Sequence, residues 1–274
     1  MTGISSEVHA KPDNHTVLEK IENGLAIVTL NRPEKLNAIN NELATAFNKT
    51  MLQLSQNESV HVVIITGAGR AFCAGGDLEV IRKGREAGDS KELEPMLRGG
   101  MQAVLKIRTM PQPVIAAVNG AAAGAGMNIA LAADIRIAAE EAVFGQNFVK
   151  VGLFPDYGGT YFLPELVGPA KAAELFYTGE MIDARKALEL GIVNKVVPAA
   201  QLEAEVMAFA KRLLQGPPLS LRAIKKHLFA SKTAEIAHAL EQEVHEQLRA
   251  FNSEDSLEGM KAFFEKRPPR FQGK

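Results

Sequence analysis

The spacing of hydrophobic and polar positions predicts a hairpin followed by a helix at the start of the chain. Val17–Glu22 and Leu25–Leu30 have the composition of strands, and the Asn-Gly pair between them is a typical hairpin turn. A helix is predicted to begin near Asn40, a favourable N-cap. The apolar residues at helical spacing that would face the core are Leu43, Phe47, Met51 and Leu54.

A strand followed by a glycine-rich loop and a helix occurs twice in the sequence. The β-branched run at residues 60–66 predicts a buried strand, which leads into a loop at residues 67–76 and then into Asp77, a potential helix cap. Residues 113–118 predict a second buried strand, and the loop at residues 119–126 leads into an alanine-rich helix. The two loops are therefore placed at equivalent positions of two similar units.

The remaining segments define the predicted fold class. Residues 84–94 are charged and contain glycine, which indicates a surface loop, and residues 95–108 predict a helix. Short strands are predicted over residues 135–138 and 142–144, and from Tyr157 onward the pattern is mostly helical. Strands in the first two thirds and helices in the last third predict an α/β protein with a helical C-terminal region.

Composition and charge make several classes of protein unfavourable. The 274 residues carry a net charge of −1 and no basic stripe, which disfavours nucleic-acid binding, and no apolar run reaches the roughly 20 residues that span a bilayer. The polar N-terminus lacks the apolar core of a signal peptide. Cys73 is the single cysteine, and the six histidines are not spaced as zinc ligands. We therefore expect a cytoplasmic protein without a metal site.

The two glycine-rich loops are the candidate functional elements. Glycine and alanine let a ligand approach the backbone closely, and a loop that opens a helix leaves N–H donors unpaired. Such donors bind a phosphate, or a carbonyl oxygen that becomes negative during a reaction. Neither loop has the complete dinucleotide-binding pattern, because Phe72 and Ile129 occupy the third glycine positions. On the loops alone, ligand binding and simple tight packing are both open.

Segments 71–78 and 119–126 resemble the two oxyanion-hole segments of the crotonase superfamily, the enoyl-CoA hydratases and isomerases. Segment 31–38 is similar to the early CoA-contacting segment of that superfamily, and the similarity covers nearly the whole chain after about residue 15. The resemblance implies a crotonase-type spiral of β-β-α units with a C-terminal helical region. It also implies a homotrimer or a dimer of trimers.

The resemblance divides the chain into three expected parts. Residues 1–14 are expected to form a disordered N-terminal extension, residues 15–200 the spiral core, and residues 201–274 the helical oligomerisation region.

Roles for particular residues are also implied by the resemblance. The backbone N–H groups of Gly76 and Ala125 would bind the thioester carbonyl oxygen of an acyl-CoA. The residues implied to line the path of the CoA are Lys35, Ala74, Asp77 and Leu78, with Lys266 reaching its nucleotide part in the same or a neighbouring subunit. Coenzyme A arrives as part of the substrate, so no separate cofactor is expected.

The side chains that would decide the reaction favour an isomerase. Hydratases of the superfamily use two glutamates, whereas this chain has Asn128 and Phe148 at the matching positions, and neither can act as a general acid or base. Segment 152–160 is similar to that of epoxyphenylacetyl-CoA isomerases and contains Asp156, the implied proton shuttle. We expect Asp156 to lie in an apolar pocket near Phe148 with a raised pKa, since burial disfavours its charge.

Other readings of the sequence stay open. Phe148 and Asn128 are candidate substrate contacts, although Asn128 could equally be only a part of its helix. An enoyl-CoA hydratase of the fatty-acid β-oxidation type would need a carboxylate elsewhere in the chain. A non-catalytic member of the superfamily would bind acyl-CoA or an RNA through the same scaffold, and the near-neutral charge disfavours the RNA.

Overall fold

The computed structural model describes residues 15–89, 91 and 93–274. The predicted extension at residues 1–14 lies outside the described residues. Within the described residues, the strands are β1 (Val17–Glu22), β2 (Leu25–Leu30), β3 (Val62–Gly67), β4 (Ala71–Cys73), β5 (Val114–Val118), β6 (Ala121–Ala123), β7 (Ile135–Ala139), β8 (Val143–Gly145), β9 (Met181–Asp183) and β10 (Lys195–Val197).

The α-helices of the same residues alternate with these strands in the first half of the chain and dominate the second. They are α1 (Asn41–Gln56), α2 (Leu78–Glu86), α3 (Leu93–Thr109), α4 (Ala125–Ala132), α5 (Gly159–Val167), α6 (Pro169–Thr178), α7 (Ala184–Glu189), α8 (Leu202–Leu214), α9 (Pro218–Phe229), α10 (Thr233–Phe251) and α11 (Glu254–Phe264). Within the described ranges, no helix is both long enough and apolar enough to cross a lipid bilayer.

The larger of the two sheets has the strand order β1-β2-β3-β5-β7-β10. Strands β1 and β2 pair antiparallel around Asn23 and Gly24, which both have positive φ angles, of 51° and 82°. Two successive positive φ angles are what a type I′ turn requires, so the predicted hairpin is confirmed. The other neighbouring strands of this sheet are parallel to one another.

The smaller sheet is built from three-residue strands in the order β4-β6-β8-β9. Each of β4, β6 and β8 follows a long strand of the larger sheet directly, so the chain repeats a long strand, a short strand and a helical segment. The glycine-rich segments predicted as loops therefore contain short strands. Small side chains carry no strand pattern of their own, and the strands form because Ala71 pairs with Ala121 in parallel register.

Helix α1 follows the prediction closely. The side-chain Oδ1 of Asn40 accepts a hydrogen bond of 2.9 Å from the N–H of Leu43, which makes Asn40 the N-cap. The four apolar residues predicted to face the core are all buried. The N-cap predicted at Asp77 is confirmed as well, since Asp77 accepts a hydrogen bond from the first turn of α2. Asp183 caps α7 in the same way.

The predicted surface loop at residues 84–94 is wrong at both of its ends. Helix α2 continues to Glu86 and α3 already begins at Leu93. Glu86, one of the charged residues that indicated a loop, lies in the helix instead and forms an ion pair of 2.6 Å with Arg82 one turn earlier. The chain folds back over Gly84, where the N–H of Asp89 donates to the carbonyl oxygen of Gly84 and a Cβ atom on Gly84 would lie 3.0 Å from the carbonyl oxygen of Asp89.

The second half contains two strands that the sequence pattern did not predict. Strands β9 and β10 pair with β8 and β7 respectively. Three residues are too few to show a period of two, so these strands depend on their neighbours and not on a local pattern. The C-terminal part is helical as predicted and ends in α9, α10 and α11. Helix α8 packs on the larger sheet. The boundary at residue 200 between the spiral core and the oligomerisation region stays a prediction.

The packing of Tyr157 against Gly100 gives a test of the fold. A Cβ atom at Gly100 would lie 1.7 Å from Cζ of Tyr157, whereas a Cβ at the neighbouring Gly99 would meet Ala44 at ordinary distances of 3.5 Å or more. We expect Gly100→Ala to lower the free energy of unfolding by about 1–3 kcal/mol through overpacking. The matched control Gly99→Ala is expected to raise it by roughly 0.5–1 kcal/mol. Urea unfolding of both variants measures the difference, and equal stabilities would contradict this packing.

Candidate active site

A cavity of about 110 Å³ opens where the two glycine-rich segments meet. Its walls come from both loops, from α2 and α3, from the segment before α5 and from the C-terminal helices. The residues that line it are Ile39, Ala74, Gly75, Gly76, Leu78, Ile81, Leu93, Met96, Gly124, Ala125, Asn147, Phe148, Lys150, Val151, Leu153, Asp156, Tyr157, Gln247 and Phe263. Most of this lining is apolar, so polar groups inside it are weakly hydrated.

Two backbone N–H groups at this cavity have no acceptor among the described residues. Gly76 pairs with Ile39 as an isolated parallel bridge, in which Gly75 supplies the carbonyl oxygen and Asp77 the N–H. The N–H of Gly76 itself is therefore directed away from Ile39. Ala125 is the first residue of α4, where an N–H has no partner within the helix. Within the described residues neither N–H donates a hydrogen bond, so both are free to bind a ligand oxygen.

The two segments touch through their backbones. Gly75 has a φ of +98°, and a Cβ atom there would lie 2.9 Å from the carbonyl oxygen of Ala123 and 3.7 Å from the nitrogen of Ala125. A side chain at this position would therefore be strained and would push the segments apart. The glycine keeps the N–H groups of Gly76 and Ala125 on the same small cavity.

Asp156 is the acidic group of this site. Its side chain is 6% exposed, and Oδ2 accepts a hydrogen bond of 3.1 Å from Nε2 of Gln247, while Oδ1 has no partner among the described residues. Burial raises the pKa of Asp156 from its ordinary value of 3.8 to about 8. The hydrogen bond from Gln247 opposes this rise, and the nearby carboxyl of Glu243 adds to it. The predicted location beside Phe148 in an apolar pocket is what the structure shows.

The backbone of Asp156 is held by the side chain of Asn128. Nδ2 of Asn128 donates to the carbonyl oxygen of Asp156 at 2.7 Å, and Oδ1 of Asn128 accepts from Nε2 of Gln146 at 2.5 Å. Asn128 is fully buried and does not line the cavity, contrary to the predicted substrate contact. Its two polar atoms are already bonded within the protein. Asn128 therefore fixes the segment that carries Asp156.

The structure brings only some of the predicted CoA-path residues to the cavity. Ala74 and Leu78 line it, whereas Lys35, Asp77 and Lys266 do not. The carboxylate of Asp77 is occupied, because Oδ1 caps α2 and Oδ2 forms a 3.0 Å ion pair with Arg32.

Lys35 and Lys266 lie on the surface. Nζ of Lys35 forms an ion pair of 3.0 Å with Glu79. Lys266 follows the end of α11, where its backbone N–H bonds to the carbonyl oxygen of Phe263, a residue that does line the cavity.

The residue that the sequence pattern missed is Gln247. It lies on α10 in register with the buried apolar residues Ile236, Leu240, Val244 and Phe251. Glu243 occupies the same buried face one turn earlier. Polar residues on the apolar stripe of a helix are uncommon and are hydrogen-bonded when they occur, so this pattern could have identified both residues.

Comparison with known proteins finds a matching family and similar sequences. The family model described as enoyl-CoA hydratase/isomerase matches residues 20–274. A protein of Rhodobacter capsulatus named probable enoyl-CoA hydratase is 41% identical over 95% of this chain and 99% of its own length. The 1,2-epoxyphenylacetyl-CoA isomerase of Escherichia coli is 38% identical over 94% of this chain and 98% of its own.

Solved structures show the same architecture. The crystal structure of an enoyl-CoA hydratase from Mycobacterium avium subsp. paratuberculosis superimposes with a TM-score of 0.85 at 33% identity, and the match covers 94% of this chain and 98% of that one. This likeness confirms the predicted crotonase-type fold.

The buried carboxyl of Asp156 makes a prediction about stability and pH. Because the folded chain binds this proton more tightly than the unfolded chain does, the folded state holds the extra proton between about pH 4 and pH 8. The free energy of unfolding therefore falls as pH rises through that window, by up to about 1.4 kcal/mol for each pH unit. Asp156→Asn removes this dependence, so the variant should gain stability relative to the parent between pH 5 and pH 8.5.

Urea unfolding at the two pH values measures this gain. The matched control is Asp183→Asn, because Asp183 is exposed and asparagine caps a helix as well as aspartate does. An equal difference between Asp156→Asn and the parent at both pH values would show that Asp156 titrates as an ordinary carboxyl.

Proposed function

The chain belongs to the enoyl-CoA hydratase/isomerase family, and we propose that it acts as an enoyl-CoA isomerase that shifts a double bond between the β–γ and α–β positions of an acyl-CoA. The observation that carries this proposal is the composition of the cavity. Among the described residues that line it, Asp156 is the only carboxyl group, and it shares the cavity with the two free N–H groups.

The N–H groups of Gly76 and Ala125 form the oxyanion hole in this proposal. When a proton leaves the α-carbon, negative charge moves onto the thioester carbonyl oxygen, and two fixed donors stabilise it without reorganisation. In comparable sites the loss of one donor costs about 3–4 kcal/mol of transition-state stabilisation. The apolar walls exclude water and strengthen this interaction.

Asp156 moves the proton. Its carboxylate removes a proton from the α-carbon of the β–γ enoyl thioester and becomes a carboxylic acid, while the electron pair forms the enolate. The same acid then returns the proton to the γ-carbon, and the double bond is left between the α- and β-carbons. Protons and charge balance, and the reaction needs no cofactor beyond the CoA of the substrate. A pKa of about 8 suits this double role, because a base works best when its pKa is close to the working pH.

Hydration is the second candidate function. It is favoured by relatives named as hydratases, such as the protein of Rhodobacter capsulatus. Against it stand the residues at the positions of the two hydratase glutamates: Asn128 is bonded within the protein, and Phe148 carries no acid or base. Glu243 is the other buried carboxyl nearby, but it does not line the cavity.

Association into trimers, alone or paired into hexamers, is part of the proposal. Helix α9 presents large apolar side chains to solvent in the single chain, at Leu219, Ile224 and Leu228. An interface between subunits would cover them. The exposed ammonium groups of Lys35 and Lys266 are proposed to meet the phosphates and nucleotide of CoA at the surface.

The ultraviolet absorbance of a conjugated enoyl thioester tests the reaction. With a β–γ enoyl-CoA, the parent protein should generate absorbance as the double bond moves into conjugation. Asp156→Asn should lower the rate by about 100-fold or more, the usual contribution of general acid–base catalysis. The control Asp183→Asn should behave as the parent.

The same assay separates the two candidate functions. If an α–β enoyl-CoA loses its absorbance and Asp156→Asn has no effect on that loss, the protein is a hydratase and the assignment of Asp156 is wrong.

A further inference from the structure

Helix α10 reaches the candidate site from the C-terminal region, about 90 residues after Asp156 in the chain. Two of its polar side chains, Glu243 and Gln247, lie one turn apart and are each only 2% exposed. Burying such groups is unfavourable unless hydrogen bonds compensate. The partners of both side chains lie in the single segment from Phe154 to Thr160, on either side of Asp156.

The side-chain amide of Gln247 is fixed in one orientation. Its Oε1 accepts a hydrogen bond of 2.8 Å from the backbone N–H of Phe154, so the amide oxygen faces that donor. Nε2 must then face the other way, where it donates to Oδ2 of Asp156 at 3.1 Å. An amide held at its oxygen presents a fixed donor to the carboxyl group.

Glu243 fixes the segment on the other side of Asp156. Its carboxyl oxygens accept hydrogen bonds from the N–H of Gly158 at 2.6 Å, and from the N–H and hydroxyl of Thr160 at 2.9 and 2.5 Å. Gly158 is the N-cap of α5 and has no side chain to satisfy these donors. Glu243 therefore caps α5 from another helix, and the negative charge is favourable at that helix end.

We propose that Gln247 is a positioning residue for Asp156. Gln247 holds the carboxyl of Asp156 against the cavity wall and stabilises the ionised form of that carboxyl. Glu243 anchors the turn that follows Asp156. The inference rests on the proposed role of Asp156 in proton transfer. Oδ1 of Asp156 is buried and has no hydrogen-bond partner among the described residues, so it is the atom left for the substrate proton, because Oδ2 is held by the amide.

Among the described residues no cation forms an ion pair with this carboxyl, although Lys150 lines the same cavity. The titratable groups that face Asp156 are Glu243 on α10, the thiol of Cys73 on β4 and the hydroxyl of Tyr157 beside it. Burial raises the pKa of Cys73 to about 12 and that of Tyr157 further above its usual range, so both stay neutral at pH 6–10. Within the described chain, Gln247 is the only side chain that donates a hydrogen bond to this carboxyl.

The test compares the parent protein with Gln247→Met, which keeps the length of the side chain and removes the donor. Carboxyl carbon NMR follows the titration of Asp156, whose signal is identified by its loss in Asp156→Asn. We expect the midpoint to rise by about one pH unit, a tenfold gain in proton affinity, as expected for a lost hydrogen bond to a charged group. The matched control is Gln242→Met, an exposed glutamine on the same helix, which should leave the midpoint unchanged.

The pH dependence of the isomerisation gives a second readout. Because the base must be ionised, Gln247→Met should lower kcat/KM about tenfold at pH 7. The kcat/KM of the variant should return most of the way to that of the parent as pH rises above the new midpoint. An unchanged midpoint with a rate that is lowered equally at every pH would overturn the proposal and leave Gln247 a purely structural residue.

A second variant and the NMR titration decide the proposal when the first variant or the activity assay fails. If Gln247→Met does not fold, Gln247→Glu keeps the acceptor for Phe154, replaces the donor with an acidic group and should shift the midpoint in the same direction. If the parent protein shows no isomerisation, the proposed function fails, whereas the NMR titration still decides whether Gln247 controls the ionisation of Asp156.

Discussion

The contact between the two glycine-rich segments is the constraint on which the site depends. Two backbones approach so closely that a side chain at Gly75 would meet the carbonyl oxygen of Ala123, and one at Gly126 would lie 2.1 Å from the carbonyl oxygen of Cys73. The short strands β4 and β6 pair at this contact and use their own backbone groups in doing so. Within the described residues the N–H groups of Gly76 and Ala125 remain unpaired at the end of the contact, so the same packing that closes the core leaves two donors free for a ligand oxygen.

The acidic groups of the site are stabilised by hydrogen-bond donors. Within the described residues neither Asp156 nor Glu243 forms an ion pair; backbone N–H groups and a hydroxyl donate to Glu243, and the amide of Gln247 donates to Asp156. Asn128 holds the backbone of Asp156, Gln247 holds its side chain, and Glu243 holds the turn beyond. The backbone of the same segment is strained at Tyr157, whose left-handed φ of 54° is uncommon for a residue other than glycine. A strained backbone and a buried acidic group in one segment are typical of functional sites.

The sequence could predict the elements that carry a local signal. The hairpin at Asn23, the N-cap at Asn40 and the strand–loop–helix pairs have patterns of turn residues, caps and apolar spacing, and the structure confirms them. The location of Asp156 was predicted through a resemblance in motif and not through a local pattern.

What could not be predicted depends on contacts between distant segments. The three-residue strands have no pattern and form only by pairing, and the role of Asn128 depends on a carbonyl group 28 positions away. Gln247 is separated from Asp156 by 91 positions, so no local spacing connects them. That separation also has a consequence in time. At about 5–20 residues per second of synthesis, a growing chain spends roughly 5–20 seconds with both loops and Asp156 made but α10 absent. The cavity is therefore among the last parts of the molecule to be completed at the ribosome, and a chain released before α10 carries the loops without a finished site.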